Sequence, residues 1–260
     1  LDGAFFNSGQ SCCGIERIYV HENHFSSFVD GFVDLTNQYV LGNPLNESIT
    51  LGPMAKLSGA NIAKFQFGWR DKPGEINQID LKRAKQLKKW CDYFEIEMMA
   101  SIISNSSLHL VKKINLKRNK IASRTVTENP QLCKKIIKMN KEVFCSLGFW
   151  NKKGMPFGKP NKKLRYIYCV SKYPTYPHQL KNFPKNFSEQ GYYGYSDHTH
   201  GIEACLLAIS RGAKFIEKHF TLNKTSQVIR DHVLSATPDE FRILTEQGRQ
   251  LHKVLNSVPK

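Results

Sequence analysis

The 260 residues suit one large α/β domain or two small ones. Hydrophobic content of 40% and a mean hydropathy of −0.43 exclude a disordered chain, and no apolar run reaches the ~18–20 residues that cross a bilayer. The net charge of +16 is uneven: residues 1–56 hold two basic and six acidic side chains, so the remaining 204 carry a net +20.

The acidic first segment contains a cysteine-bearing loop and a short β-like run at 17–20. A helical stretch at 26–40 follows, with Phe28, Phe32, Val33 and Leu35 on its apolar side. Gly42 and Pro44 end it. From Ile62 onward, short buried runs alternate with amphipathic helices. The runs lie at 62–67, 94–100, 119–123, 142–146, 166–170, 192–196 and 214–219. Helices are expected at 80–93 with Asp80 as cap, at 130–139 behind Asn129 and Pro130, at 201–211, and from the capping box Thr237-Pro238-Asp239-Glu240 to about 255. This alternation predicts parallel βα units: an incomplete (β/α)8 barrel, one strand short. Lysine pairs recur at separate places (Lys112-Lys113, Lys134-Lys135, Lys152-Lys153, Lys162-Lys163). That scatter describes solvated helix faces rather than a nucleic-acid footprint.

Chemistry in such a barrel gathers at the C-terminal ends of the strands. Those ends carry Lys64 and Gln66, Ser101, Lys120 and Ser123, Ser146, Ser171 and Tyr173, Ser196 to His198, and His219. Lysines and hydroxyls suit a phosphate plus a carboxylate, and two imidazoles suit a divalent metal. Each alone reads more readily as an ion-pair or hydrogen-bonded structural residue than as a functional one.

The local strings go further. Gly194-Tyr195-Ser196-Asp197-His198-Thr199 and Phe215-Ile216-Glu217-Lys218-His219-Phe220 closely resemble the sialic acid (N-acetylneuraminate) synthase family. So do Ala63-Lys64-Phe65-Gln66, Lys120-Ile121-Ala122-Ser123, Tyr173-Pro174-Thr175 and Arg230-Asp231-His232. The resemblance covers about residues 58–260. It implies condensation of phosphoenolpyruvate with an N-acetylated hexosamine such as N-acetylmannosamine, yielding a 2-keto sugar acid and phosphate. It further implies a divalent cofactor, Mn²⁺ or Mg²⁺, on His198 and His219. Lys64, Lys120, Ser101, Ser123, Ser171 and Ser196 would hold phosphoenolpyruvate, with Lys64 and Lys120 catalytic; Gln66, Tyr173 and Asp231 would meet the sugar. Arg124-Thr125 and Ser171-Lys172 depart from the best-known members and leave the sugar open. The family's first βα unit and its C-terminal antifreeze-like domain are not in this sequence, which implies an impaired family dimer.

The first segment has another resemblance. Asn7-Ser8-Gly9-Gln10-Ser11-Cys12-Cys13 and Leu41-Gly42-Asn43-Pro44 resemble the aldehyde dehydrogenase superfamily around its nucleophilic cysteine, which would be Cys12. The implied domains are 1–57, an aldehyde dehydrogenase-like fragment, and 58–260, the barrel. The fragment lacks the dinucleotide-binding fold and general base that thiohemiacetal oxidation needs, so NAD(P) is not expected and Cys12 reads as vestigial. The seven scattered cysteines fit reduced thiols and a cytoplasmic location. Besides the synthase reading, a catalytically incompetent fusion and an aldehyde dehydrogenase remnant stay open.

Overall fold

Seven short runs pair in chain order into one parallel sheet: β1 (Ile62–Phe67), β2 (Glu97–Ile102), β3 (Arg118–Ile121), β4 (Glu142–Ser146), β5 (Leu164–Cys169), β6 (Gly194–Asp197) and β7 (Phe215–Lys218). The structure is a computed structural model that describes residues 18–38, 54–69, 78–222, 224 and 230–258. It divides into two units, Leu1–Leu57 and Ser58–Lys260, and the second carries the whole sheet. With helices numbered along the chain, α1 (Glu22–Asn37) and α2 (Met54–Leu57) belong to the first unit. The second holds α3 (Leu81–Tyr93), α4 (Asn105–Ile114), α5 (Ser123–Glu128), α6 (Pro130–Ile137), α7 (Glu203–Ser210) and α8 (Pro238–Ser257). Parallel neighbours need crossover returns, and these helices supply several of them.

The expected caps form. Asp80 accepts from the Arg83 amide at 2.7 Å, Asn129 accepts from Leu132 N at 3.0 Å, and Thr237 with Glu240 closes a capping box on α8. Helix α4 was not anticipated. Its box uses Ser104 and Ser107 in place of the usual Glu at the third position, which disguised the signal. Three expected runs are corrected. The strand expected at 94–100 is displaced to Glu97–Ile102, because Phe94 caps α3 and Glu95 turns the chain at φ 53°. The run at 119–123 ends at Ile121, and Ser123 opens α5 instead. Residues 18–20 form no strand, and Arg17 lies outside the described residues. There the chain feeds α1, whose His21 cap accepts from Asn23 N, so that helix starts at Glu22 rather than at 26.

Side chains alternate across the sheet. The inner layer packs Met99, Phe144 and Ile167 with Ile62, Tyr193 and Phe215, and the Phe144 and Phe215 rings stack at 4.3 Å. Between sheet and helices lie Tyr168, Phe187, Tyr195, Cys205, Ala208, Ala213 and Leu244. Glycine is required at 194: a Cβ there would lie 2.0 Å from the Phe215 carbonyl oxygen. Among the described residues, β1 is laddered only to β2 and β7 only to β6, which leaves the described sheet one strand short of eight. Helix α8 ties the ends together, because Thr245 Oγ1 donates to Ser58 O at 2.8 Å and Arg249 to Gly59 O at 2.5 Å, just ahead of β1.

Candidate active site

Period-two alternation carries the inner face of β6 and β7 past the strand ends. Gly194, Ser196 and His198 share one side, as do Phe215, Glu217 and His219. Ser196 and Glu217 are register partners, and so are Gln66 with Ser101 and Ser101 with Lys120. The registers thus set Gln66, Ser101 and Lys120 in one row and Ser196 opposite Glu217 in another.

Glu217 is the hub. Its Oε1 accepts from Ser196 Oγ at 3.0 Å and from the buried Lys120 ammonium, and Lys64 Nζ stands 3.7 Å away. Its Oε2 is buried and has no hydrogen-bond partner among the described residues. Burial is the largest influence on this carboxyl and would raise it, but Lys120 and Lys64 outweigh it and hold the group below the ordinary carboxylate range. Burial likewise dominates at Lys120 and draws its ammonium below the ordinary lysine range, against the pull of Glu217. Two cations meeting one anion leave the pocket net positive, with an acceptor still open.

Beside this hub lie three rings. The His198 and His219 centroids are 5.4 Å apart, and Tyr173 stands 4.2 Å from His198 and 6.3 Å from His219. His198 Nδ1 lies 2.8 Å from Val170 O, which can only accept, so Nδ1 carries the proton and Nε2 is left as a ligand atom. Cys169 Sγ is also 3.7 Å from that nitrogen. Burial would lower the pKa of His198, but the contacts with Cys169 and the Val170 carbonyl outweigh it and leave it above the ordinary imidazole value, so a cation would compete with a proton for Nε2. Burial, then the charges of Lys64 and His198, pushes His219 down to about 3, which keeps it a neutral imidazole. Asp231 Oδ2 is 4.0 Å from His219 Nδ1. No group of three or more His, Cys, Asp or Glu suited to a metal gathers among the described residues. The two imidazoles therefore fit a divalent ion only with its other positions filled by water or substrate.

The structure thus gathers Lys64, Lys120 and Ser196 on Glu217, and Tyr173 and Asp231 around the histidines. Ser101 is buried beside Lys120 in register. Ser123 Oγ accepts from Gly148 N at 2.9 Å, so it is already engaged, and Ser171 Oγ lies 3.9 Å from Cys169 Sγ. Gln66 is exposed. Cys12 lies outside the described residues. Sequence reasoning missed Glu217 as a site residue, although its place between Phe215 and His219 at period two was the available signal. Cys169, one of the scattered thiols, is buried and its Sγ lies 3.7 Å from His198 Nδ1.

The profile of the NeuB family matches residues 75–260, and that of the aldehyde dehydrogenase family matches residues 1–65. An N,N'-diacetyllegionaminic acid synthase of Campylobacter jejuni is 33% identical over 190 residues, covering 68% of this chain and 56% of that protein. The chain thus spans little more than half the length of that relative. A crystal structure of the N-acetylneuraminic acid synthetase of Leptospira borgpetersenii, in complex with citrate, superposes with a TM-score of 0.70 at 27% identity, covering 80% of this chain and 79% of that one. For the first segment, a 3-sulfolactaldehyde dehydrogenase of Priestia aryabhattai is 42% identical over 57 residues, covering 22% of this chain and 12% of that protein.

Proposed function

Because the chain belongs to the NeuB family, we propose that its barrel condenses phosphoenolpyruvate with the open aldehyde form of an N-acetylated hexosamine. The observation that supports this reading is the Lys64–Glu217–Lys120 group, which leaves one buried carboxylate oxygen open two residues from His219. In balance, the vinyl carbon of phosphoenolpyruvate bonds to the aldehyde carbon, water adds at the phosphate-bearing carbon, and phosphate leaves. The product is a 2-keto sugar acid.

Lys64, Lys120, Ser101, Ser123, Ser171 and Ser196 hold the anionic groups, and the two ammonium groups offset charge on the tetrahedral intermediate. Glu217, kept ionised by those lysines, is too weak a base to retain a proton. Its open Oε2 instead accepts a hydrogen bond and orients the attacking water. Gln66, Tyr173 and Asp231 face the sugar. A divalent ion, Mn²⁺ or Mg²⁺, held by His198 and His219 would polarise the aldehyde oxygen as a Lewis acid.

The test mixes the purified full chain with Mn²⁺, phosphoenolpyruvate and N-acetylmannosamine and follows phosphate release. Release well above that of His198→Ala is expected; equal rates overturn the reading. One observation favours a second reading, a folded but non-catalytic barrel: among the described residues β1 and β7 each have a ladder on one edge only, and unpaired edges in a parallel sheet are costly. A cooperative unfolding transition without any phosphate release is the outcome that selects it.

A further inference from the structure

Between the sheet and α7 lies a second buried polar group, separate from the mouth of the barrel. Asp197 and Lys218 form an ion pair at 2.7 Å with side chains 0% and 1% exposed. Every heteroatom of the pair is engaged. Asp197 Oδ1 accepts from Tyr195 Oη at 2.7 Å and from Thr199 N at 2.8 Å; Oδ2 accepts from Lys218 and from Cys205 Sγ at 3.3 Å. Lys218 also donates to Thr199 O at 2.5 Å.

The placement in sequence is the telling feature. Asp197 and Thr199 flank His198, and both are fastened to Lys218, whose own neighbour is His219. The pair therefore grips the backbone on both sides of one imidazole and directly ahead of the other. His198 is held from a third direction, because its carbonyl accepts from Thr175 N at 2.8 Å. Replacing a buried ion pair by well-packed hydrophobic residues is often neutral for stability, so the pair is weak evidence of a purely stabilising role. What this pair fixes is the spacing of two adjacent strand ends.

We propose that the Asp197–Lys218 pair is a positioning clamp that holds His198 and His219 at one spacing, so that the two imidazoles act together on one divalent cation. This rests on the metal reading above and adds the residues that set its geometry. Asp197 and Lys218 touch neither the substrate nor the cation.

The experiment titrates the full chain with Mn²⁺ and reads free ion by electron paramagnetic resonance, at a temperature where circular dichroism shows each variant folded. Asp197→Asn is expected to weaken Mn²⁺ binding by about tenfold or more, the range found when groups supporting metal ligands are lost. Tyr195→Phe, which keeps the volume and removes one donor to Asp197, is expected to weaken it by about threefold, the scale of one lost hydrogen bond, and it decides the matter if Asp197→Asn does not fold. Leu132→Ala destabilises the core between α6 and strands β3 and β4, away from the clamp, and is expected to leave affinity within about twofold. Wild-type affinity in folded Asp197→Asn or Tyr195→Phe, or an equal loss in Leu132→Ala, overturns the clamp. A second readout needs no metal. The His198 and His219 imidazole resonances of the metal-free chain are expected to shift together in Asp197→Asn and Tyr195→Phe; unmoved resonances overturn the clamp. If the wild type binds no Mn²⁺, the metal reading fails and these resonances still decide whether the clamp exists.

Discussion

Two buried ion pairs stand back to back on β7, on residues that are neighbours in sequence. Glu217 points inward and meets Lys120 and Lys64; Lys218 points outward and meets Asp197. They differ in how far they are satisfied. The outer pair has a partner for each polar atom and essentially no exposure. In the inner group, one carboxylate oxygen has no partner among the described residues, and Glu217 and Lys64 side chains keep 11% and 18% exposure. A buried polar group without a partner costs stability, so its persistence needs an explanation such as a ligand. Alternation along one strand has put an open group and a closed group on opposite faces of the same sheet.

Breaking each pair in turn sharpens the contrast. Lys218→Met leaves Asp197 buried without a cation, and the loss expected is ~3–5 kcal/mol in urea unfolding. Lys120→Met is expected to cost less, about 1–3 kcal/mol, because Glu217 retains Ser196 and Lys64 and partial access to water. The reverse order would break the comparison. Gly194→Ala tests the close strand approach that both pairs depend on. Its Cβ would press on the Phe215 carbonyl, and overpacking of this kind costs about 1–3 kcal/mol. The same change is expected to disturb Ser196–Glu217, read as weaker binding of phosphoenolpyruvate in calorimetry.

Much of this was legible in the sequence, for identifiable reasons. Parallel strands buried on both faces write continuous apolar runs, and helix caps at Asp80, Asn129 and Thr237 are local chemistry that needs no partner elsewhere in the chain. The boundaries that failed are those decided by backbone geometry: a left-handed turn at Glu95 and a helix opening at Ser123. The site residues with recognisable strings, from Lys64 to His219, could be named one by one. Glu217 and the Asp197–Lys218 pair could not, since their meaning is relational. Whether a carboxylate on β7 is open or closed depends on what three other strands bring beside it, and spacing along one strand does not carry that information.

The smallest expected effect concerns pH, and its sign can be worked out. His219 has its pKa depressed to about 3 by burial and by the charges of Lys64 and His198, whereas an unfolded histidine titrates near ~6.5. Between those values the unfolded chain binds a proton that the folded chain does not, so this residue withdraws stability as pH falls from about 6.5 toward 3. His198 acts oppositely. Its pKa is raised, so its contribution is present below the unfolded value and is lost as pH rises through the folded one. The net slope of the wild type is thus a difference, and the variant isolates one part of it. Urea midpoints at pH 7.5 and pH 5.0 lie above the range where ordinary carboxylates titrate, which leaves the histidines in view. His219→Gln is expected to gain stability relative to wild type on going from the higher pH to the lower. No relative gain would mean that His219 is charged in the folded state. An imidazolium there would add a third cation beside Lys64 and Lys120 and remove the free ligand atom on which the two-histidine site depends.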